Sequence, residues 1–195
     1  PVYSIQVLRK NADGTATILK TAVELSPFSF FQRASVQEFM SFTGDLLVAR
    51  TATGARRTVR ENEYYCHIHV RPDGLAGVAI TDSRYNDLVA FSMLKRMLDG
   101  FVHNTPNWPA IPNEASCNYD GLPAFLTNYQ NPGPAEQRIE PEVTQAQITL
   151  HNTIQSVLNP GEILDTLIRD SNILTDQSKM FYTQARHMNR CCNWI

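Results

Sequence analysis

The sequence lacks any apolar run approaching the ~18 residues that a membrane-spanning helix requires, so no such helix is expected. It also lacks a surplus of basic residues. The formal net charge is -2, which argues against a nucleic-acid partner because phosphates need neutralising cations. The first eight residues alternate like a β-strand and do not have the shape of a signal peptide. A cytoplasmic chain is therefore expected.

Cysteine is scarce, and the spacing of the four cysteines suggests neither a disulfide framework nor a CxxC zinc site. Cys66 lies in a strand-like run and has no assignable His/Asp partners, so it is interpreted as a buried structural thiol and not as a nucleophile. His67 and His69 share one face of that strand, but no third metal ligand follows at a recognisable spacing. A phosphate-binding GxxxxGK loop is missing. Neither an enzyme nor a bound metal or cofactor is expected.

Residues 1–131 have the pattern of a compact α+β domain, named here the front domain. A hairpin is predicted about the Asp13-Gly14 turn, followed by three further strands. Helices are predicted after Ser26-Pro27, after Asn86 or Asp87, and near the end of the domain. The predicted strands span 1–8, 15–23, 46–52, 64–70 and 75–81, and the predicted helices span 28–43, 87–101 and 121–129. The linker 131–134, Asn-Pro-Gly-Pro, marks the end of the domain.

Residues 135–190, named here the C-terminal segment, carry a narrow apolar stripe at alternating steps of three and four residues. Such a repeat averages ~3.5 residues per turn and is typical of a coiled-coil seam, although one or two amphipathic helices packed on a core remain an alternative. The stripe consists of Ile139, Val143, Ala146, Leu150, Thr153, Val157, Pro160, Leu164, Leu167, Ser171, Leu174, Ser178, Phe181, Ala185 and Met188.

Pro160 interrupts this stripe between Asn159 and Gly161, in two turn-forming dipeptides. A proline inside a helix removes a hydrogen bond and clashes with the preceding turn, at a cost of ~3 kcal/mol or more. In isolation, the segment is therefore predicted to form two helices, over 136–158 and 162–189, joined by a kink or turn.

The tail 191–195, Cys-Cys-Asn-Trp-Ile, has a cysteine at the fourth position from its end, where prenylation occurs. The cysteine beside it is a site typical of acylation, and two lipids together give stable membrane anchoring. We therefore expect a palmitoyl group on Cys191 and a prenyl group on Cys192. Trp194 and Ile195 depart from the usual pattern, and an incidental pair of free cysteines is the alternative.

Several stretches resemble the prenylated longin R-SNARE family, the Ykt-type vesicle-fusion proteins. In the front domain these are residues 29–40, 74–82 and 129–132. In the C-terminal segment they are 150–153, 161–165 and 177–182, followed by the double cysteine at 191 and 192. The likeness covers nearly the whole chain in order.

The resemblance implies a profilin-like longin domain over 1–131, with a five-stranded antiparallel sheet and helices on both faces, and a SNARE coiled-coil motif over 135–190. It implies that the motif joins three Q-type SNARE helices in a four-helix bundle, or folds back on its own longin domain. Phe39 and Phe42 are expected to line the groove that holds it, although ordinary core packing is an alternative for both. The expected location is the cytosolic face of Golgi, endosomal, vacuolar or vesicle membranes.

Pro160 departs from the family pattern, because the resemblance implies an arginine at this central layer of the bundle. Two functions follow. The chain is either a lipid-anchored R-SNARE for vesicle docking and membrane fusion, or a lipid-tethered regulatory module that binds partner helices without driving fusion. In both cases Pro160 is expected to favour the folded-back state.

Overall fold

A computed structural model describes residues 1–188 of the chain, with side chains up to residue 184. The front domain is built on a twisted sheet whose first five strands are antiparallel. A sixth strand from the C-terminal segment extends the sheet, giving the order β2-β1-β5-β4-β3-β6. The strands are β1 Val2–Lys10, β2 Ala16–Val23, β3 Arg56–Glu61, β4 Tyr64–Val70, β5 Leu75–Asp82 and β6 Ile148–His151.

Helices cover both faces of the sheet, because the central strands bury apolar side chains alternately on each side. On β5, Ala76 and Ile80 face the first helix, and Leu75 and Ala79 face the second. Asn86 caps the second helix by accepting a hydrogen bond from the Val89 backbone N–H at 3.1 Å. The helices are α1 Arg33–Ala49, α2 Asp87–Asn104, α3 Leu122–Asn128, α4 Leu164–Asp170 and α5 Asp176–Met188. The predicted fold class is confirmed by this arrangement.

One front-domain prediction is wrong. Residues 46–52 do not form a strand, because α1 continues to Ala49 and begins later than predicted, at Arg33. The run Leu46-Leu47-Val48 is buried, and a short apolar run is compatible with either a buried helix turn or a strand. The missed strand is β3, which is rich in arginine and follows the turn at Gly54.

The C-terminal segment folds back over the front domain in short pieces. Its first part contains β6, which pairs in parallel with the edge of β3 through Ile148 opposite Arg56 and His151 opposite Val59. The helix predicted for 136–158 in isolation is therefore not present in this state, because pairing with an exposed sheet edge satisfies the backbone instead. The helix predicted for 162–189 is divided into α4 and α5. Within residues 1–188, no helix combines the length and apolar character needed to cross a bilayer.

Candidate interface between the C-terminal segment and the front domain

An apolar cluster joins α1 to α4 and α5. Helix α1 contributes one stripe at helical spacing, Phe39, Phe42 and Leu46, whose side chains are 4%, 7% and 6% exposed. The C-terminal segment contributes Ile168 from α4, with Leu174 and Tyr182 from α5 and the turn before it; all three are buried. The Phe39 and Tyr182 rings lie 5.8 Å apart between centroids. Half-buried residues pack around this cluster, namely Ile154, Leu158, Leu164, Leu167 and Ile173.

An ion pair closes the interface at the C-terminal end of α1. Arg50 donates from Nε and Nη2 to the two carboxylate oxygens of Glu162, at 2.8 and 2.6 Å. This two-pronged geometry is the strong form of an arginine–carboxylate contact. The hydrogen bond from Arg50 lowers the pKa of Glu162. The pair therefore stays charged at neutral pH and connects the end of α1 to the turn that leads into α4.

A hydrogen-bonded cluster holds the start of α5 against the first turns of α1. Glu38 accepts from the backbone N–H of Thr175 at 2.9 Å and from its hydroxyl at 3.0 Å. Thr175 in turn accepts a hydrogen bond from the Ser178 backbone N–H at 3.3 Å, which is a helix-capping contact. The Ser178 hydroxyl donates to the Ser35 hydroxyl at 3.1 Å, and both residues are buried. The burial of these polar groups is therefore matched by partners on the opposite helix.

Pro160 lies in a tight turn and not in a helix. The Glu162 N–H donates to the Asn159 carbonyl oxygen at 3.0 Å, and Gly161 has a φ of 87°. Proline at the second position and a positive-φ glycine at the third are the requirements of a type II turn. The Glu162 carboxylate also accepts from the Asn159 N–H at 2.8 Å. In the folded-back chain, Pro160 is thus accommodated without strain, and its fixed φ suits the turn.

Asp45 lies on α1 between the interface residues Phe42 and Leu46, in a cleft also lined by Leu167 and Ile173. Burial raises the pKa of Asp45 from 3.8 to about 6, with Arg50 acting in the opposite direction. The other charged groups nearby are Asp13, which lines the same cleft, and Glu162, which is paired with Arg50. A carboxylate with a raised pKa favours its neutral form in the folded protein.

Asp45→Asn is therefore expected to stabilise the protein much more at pH 7.5 than at pH 4.5. The folded chain holds the Asp45 proton more tightly than the unfolded chain, so the wild-type free energy of unfolding falls as pH rises from about 4 to about 6. Because the Asp45 side chain is partly solvated, we expect Asp45→Asn to raise the free energy of unfolding at pH 7.5 by about 1–2 kcal/mol. Urea denaturation at both pH values measures it. As a contrast, Asp13→Asn removes hydrogen bonds with Thr15 that lower the pKa of Asp13, so no gain is expected. An equal gain for Asp45→Asn at both pH values would contradict this account.

Residues of the predicted coiled-coil stripe do not share one surface in the folded-back chain, and they differ in burial. Buried members are Val143, Val157, Leu174 and Ser178, and half-buried members are Ile139, Leu164, Leu167, Ser171 and Phe181. Exposed members are Ala146, Leu150, Thr153 and Pro160. The side chains of Ala185 and Met188, and the predicted lipidation sites Cys191 and Cys192, lie outside the described residues. A stripe spaced for a continuous helix cannot face one surface when a strand and two turns interrupt it.

Several interface residues were not anticipated from the sequence. Ile168 and Tyr182 are buried although neither belongs to the stripe. The polar partners Ser35, Glu38 and Arg50 were missed as well, since their partners are over a hundred positions distant in the chain. The apolar spacing of Phe39, Phe42 and Leu46 was a usable signal. The long-range polar pairs left no local signal.

The other predicted features lie in the sheet. Cys66 is buried, and burial raises the pKa of its thiol to about 12. The His67 ring nitrogens lie 3.2 Å from the Thr58 hydroxyl and 3.1 Å from the Thr81 hydroxyl, and burial lowers the pKa of His67 to about 3. Burial similarly lowers the pKa of His69 to about 4. These values describe a neutral thiol and neutral imidazoles at pH 7. Within the described part of the chain, no three metal-binding side chains are grouped together.

Comparisons with known proteins agree with this architecture. Residues 25–126 match the Longin family model, described as a regulated-SNARE-like domain. The chain is 38% identical over 196 residues to "Synaptobrevin homolog YKT6" of Eremothecium gossypii, with 98% of each chain covered. It is also 38% identical to "Synaptobrevin homolog ykt6" of Schizosaccharomyces pombe and to the Debaryomyces hansenii protein, again over 98% of both chains.

The chain belongs to the YKT6 family of synaptobrevin homologues. The resemblance to longin R-SNAREs inferred from the sequence is thereby confirmed. As a member of the YKT6 family, the chain is an R-SNARE of vesicle trafficking and not an enzyme. Because residues 25–126 match the Longin model, the front domain is called the longin domain from here on.

Proposed function

We propose that this chain is a lipid-anchored R-SNARE for vesicle docking and membrane fusion, autoinhibited by folding of its SNARE motif onto its own longin domain. The observation that carries the proposal is the buried cluster of Phe39, Phe42 and Leu46 with Ile168, Leu174 and Tyr182. This contact covers the side of α1 that would otherwise expose two phenylalanines and a leucine to water.

Autoinhibition follows because residues that contact the longin domain are also residues that would face the partner helices in the bundle. Leu174 and Ser178 are buried against α1, and Val157 packs on the sheet side of the longin domain. All three are also positions in the predicted bundle stripe. Assembly with three Q-type SNARE helices therefore requires the motif to leave the longin domain first, so the free energy of this contact lowers the apparent affinity for partners.

The membrane anchor in this proposal is the tail, with a palmitoyl group on Cys191 and a prenyl group on Cys192. Two lipid groups are needed because a single lipid gives only marginal, reversible binding to a membrane. The chain would then be cytoplasmic and peripheral, on the cytosolic face of Golgi, endosomal, vacuolar or vesicle membranes, with ER–Golgi transport among its steps. Mass spectrometry of the C-terminal peptide from cells tests this anchor. Two unmodified cysteines would remove it from the proposal.

A second function, regulation without fusion, is favoured by one observation, the type II turn at Pro160. A proline at the central layer disfavours the straight helix of a four-helix bundle. A chain with this residue can occupy partner helices on either side of the turn without completing the bundle. In this role it would be a lipid-tethered inhibitory SNARE module.

Lipid mixing between two vesicle populations distinguishes the two functions. One population carries the lipidated full chain, and the other carries its three Q-type partners. Mixing above the level seen without the chain supports a fusion SNARE. Stable vesicle-bound complexes without mixing support the regulatory module. If neither mixing nor complex formation occurs, both proposals are wrong.

A further inference from the structure

The loop before α1 displays two adjacent phenylalanines to solvent. Phe30 is 77% exposed and Phe31 is 91% exposed, and their rings meet edge to face with centroids 5.7 Å apart. Other large apolar residues in the described part of the chain are less exposed, the next being Met180 at 62%. An adjacent pair of this kind is costly in water, which indicates a surface to which it binds.

The backbone of this loop is fixed, so the display is built into the fold. The Gln32 N–H donates to the Ser29 carbonyl oxygen at 2.9 Å, which places Phe30 and Phe31 at the two central positions of a turn. The Ser29 hydroxyl also donates to the Gln32 side chain at 2.8 Å. Just before the turn, Phe28 packs against Tyr3 with ring centroids 5.6 Å apart. Phe28 is thus half-buried against Tyr3, whereas Phe30 and Phe31 point outward.

We propose that the Phe30–Phe31 turn inserts into the surface of a lipid bilayer. Two rings at a loop tip offer far less than the ~800 Å² per partner of a stable protein interface, whereas a bilayer surface needs no matching shape. Charged residues are sparse around the turn: Arg33 is the only one between positions 25 and 37, and Glu24 and Glu38 stand on either side of that interval. Arg33 lies next to the turn, and its Nε donates to the Phe28 carbonyl oxygen at 3.2 Å. Arg33 is close enough to Glu24 to lower the pKa of that carboxylate, so the two exposed rings, and not the charge, favour a bilayer here.

The proposed lipid tail is within reach of the same bilayer. Ser178 contacts Ser35 on the first turn of α1, directly after the loop. Helix α5 extends ten residues beyond Ser178, about 15 Å, and Cys191 follows three residues later, within about 10 Å. A lipid on Cys191 would therefore enter a bilayer within about 25 Å of Ser178, which contacts the first turn of α1. The turn would add a second, protein-borne membrane contact to the lipidated tail.

The test uses the full chain produced in bacteria, where the tail carries no prenyl or palmitoyl group, so its outcome is separate from the lipidation proposal. Co-sedimentation with phosphatidylcholine vesicles containing phosphatidylserine measures the partition coefficient. Phe30→Ser/Phe31→Ser is expected to lower it by about tenfold or more. Ile163→Ser is the matched control, because Ile163 is 58% exposed next to Glu162, which pairs with Arg50 at the opposite end of α1. No change is expected for this variant.

Insertion itself is measured with Phe31→Trp and brominated lipids. Quenching of this tryptophan by brominated acyl chains is expected to exceed that of Ile163→Trp, which carries the same number of tryptophans. Equal partitioning of the wild type and the double variant would overturn the proposal, as would equal quenching at positions 31 and 163. A dimer of the wild type that the double variant abolishes would overturn it in favour of a second copy of the chain as the occupant.

Discussion

Phe42→Asp is expected to release the SNARE motif from the longin domain. Phe42 belongs to the α1 stripe and is 7% exposed against the C-terminal segment, so an aspartate there loses the apolar contact and must hold a buried charge. Loss of a buried phenylalanine alone costs about 3 kcal/mol or more. The ratio of closed to open chains should fall by a factor of about a hundred or more. Hydrogen–deuterium exchange over residues 164–182 measures this as a loss of protection.

Phe31→Asp is the matched control, because it makes the same substitution at a phenylalanine that is 91% exposed. It should leave exchange over 164–182 unchanged. Protection of α2 and β5 reports whether the longin domain remains folded in each variant. If Phe42→Asp retains wild-type protection over 164–182 with an intact longin domain, α1 is not the surface that holds the motif.

Pro160→Arg is expected to strengthen assembly with three Q-type helices by about a hundredfold or more. Replacing a proline inside a helix recovers ~3 kcal/mol or more, and the family resemblance implies an arginine at this layer. In the closed chain, Pro160 occupies the second position of a type II turn, so its loss should cost the closed state no more than about 1 kcal/mol. Titration of partner helices with the full chain measures the change in affinity.

Asn159→Arg separates the effect of proline removal from that of added charge. It introduces the same cation one position earlier and retains Pro160, so only a small change in affinity is expected. Thermal unfolding of each chain reports the effect on the closed state. Equal assembly and equal thermal stability of the wild type and Pro160→Arg would show that Pro160 has no role in the balance between the two states.

Local patterns predicted much of the longin domain because its elements are marked by local chemistry. Asn86 and Asp87 were the two capping residues predicted for α2, and Asn86 is the one that caps it; the Asp13-Gly14 turn marked the first hairpin. The strand predicted at 46–52 failed because Leu46, Leu47 and Val48 are buried in the last turns of α1, where a short apolar run has no distinct period. β3 was missed because three of its six residues are arginines, which is unusual for a strand.

The C-terminal segment was predicted less well because its conformation depends on what it contacts. The stripe from Ile139 to Met188 describes a continuous helix, which is a structure suited to a bundle of partners. Against the longin domain, the edge of β3 converts residues 148–151 into a strand, and Pro160 fits a turn. Ile168 and Tyr182, which lie outside the stripe, are then buried together with the stripe residue Leu174. The helix and strand propensities of the C-terminal segment alone therefore cannot predict this structure, because contacts with the longin domain determine it.

A disulfide between positions 35 and 178 tests the folded-back state most directly. The Ser35 and Ser178 hydroxyl oxygens lie 3.1 Å apart, and a disulfide joins sulfurs ~2.05 Å apart, so cysteines at both positions need only a small adjustment. The measurement is mild oxidation of full-length Ser35→Cys/Ser178→Cys with Cys191 and Cys192 replaced by serine, followed by peptide mass spectrometry. A rapid intramolecular cross-link between positions 35 and 178 is expected, with a yield that does not change on dilution, and none is expected in chains with only one of these two substitutions, where Cys66 and Cys117 remain buried. A double variant that stays reduced, or that forms only cross-linked dimers, would contradict it.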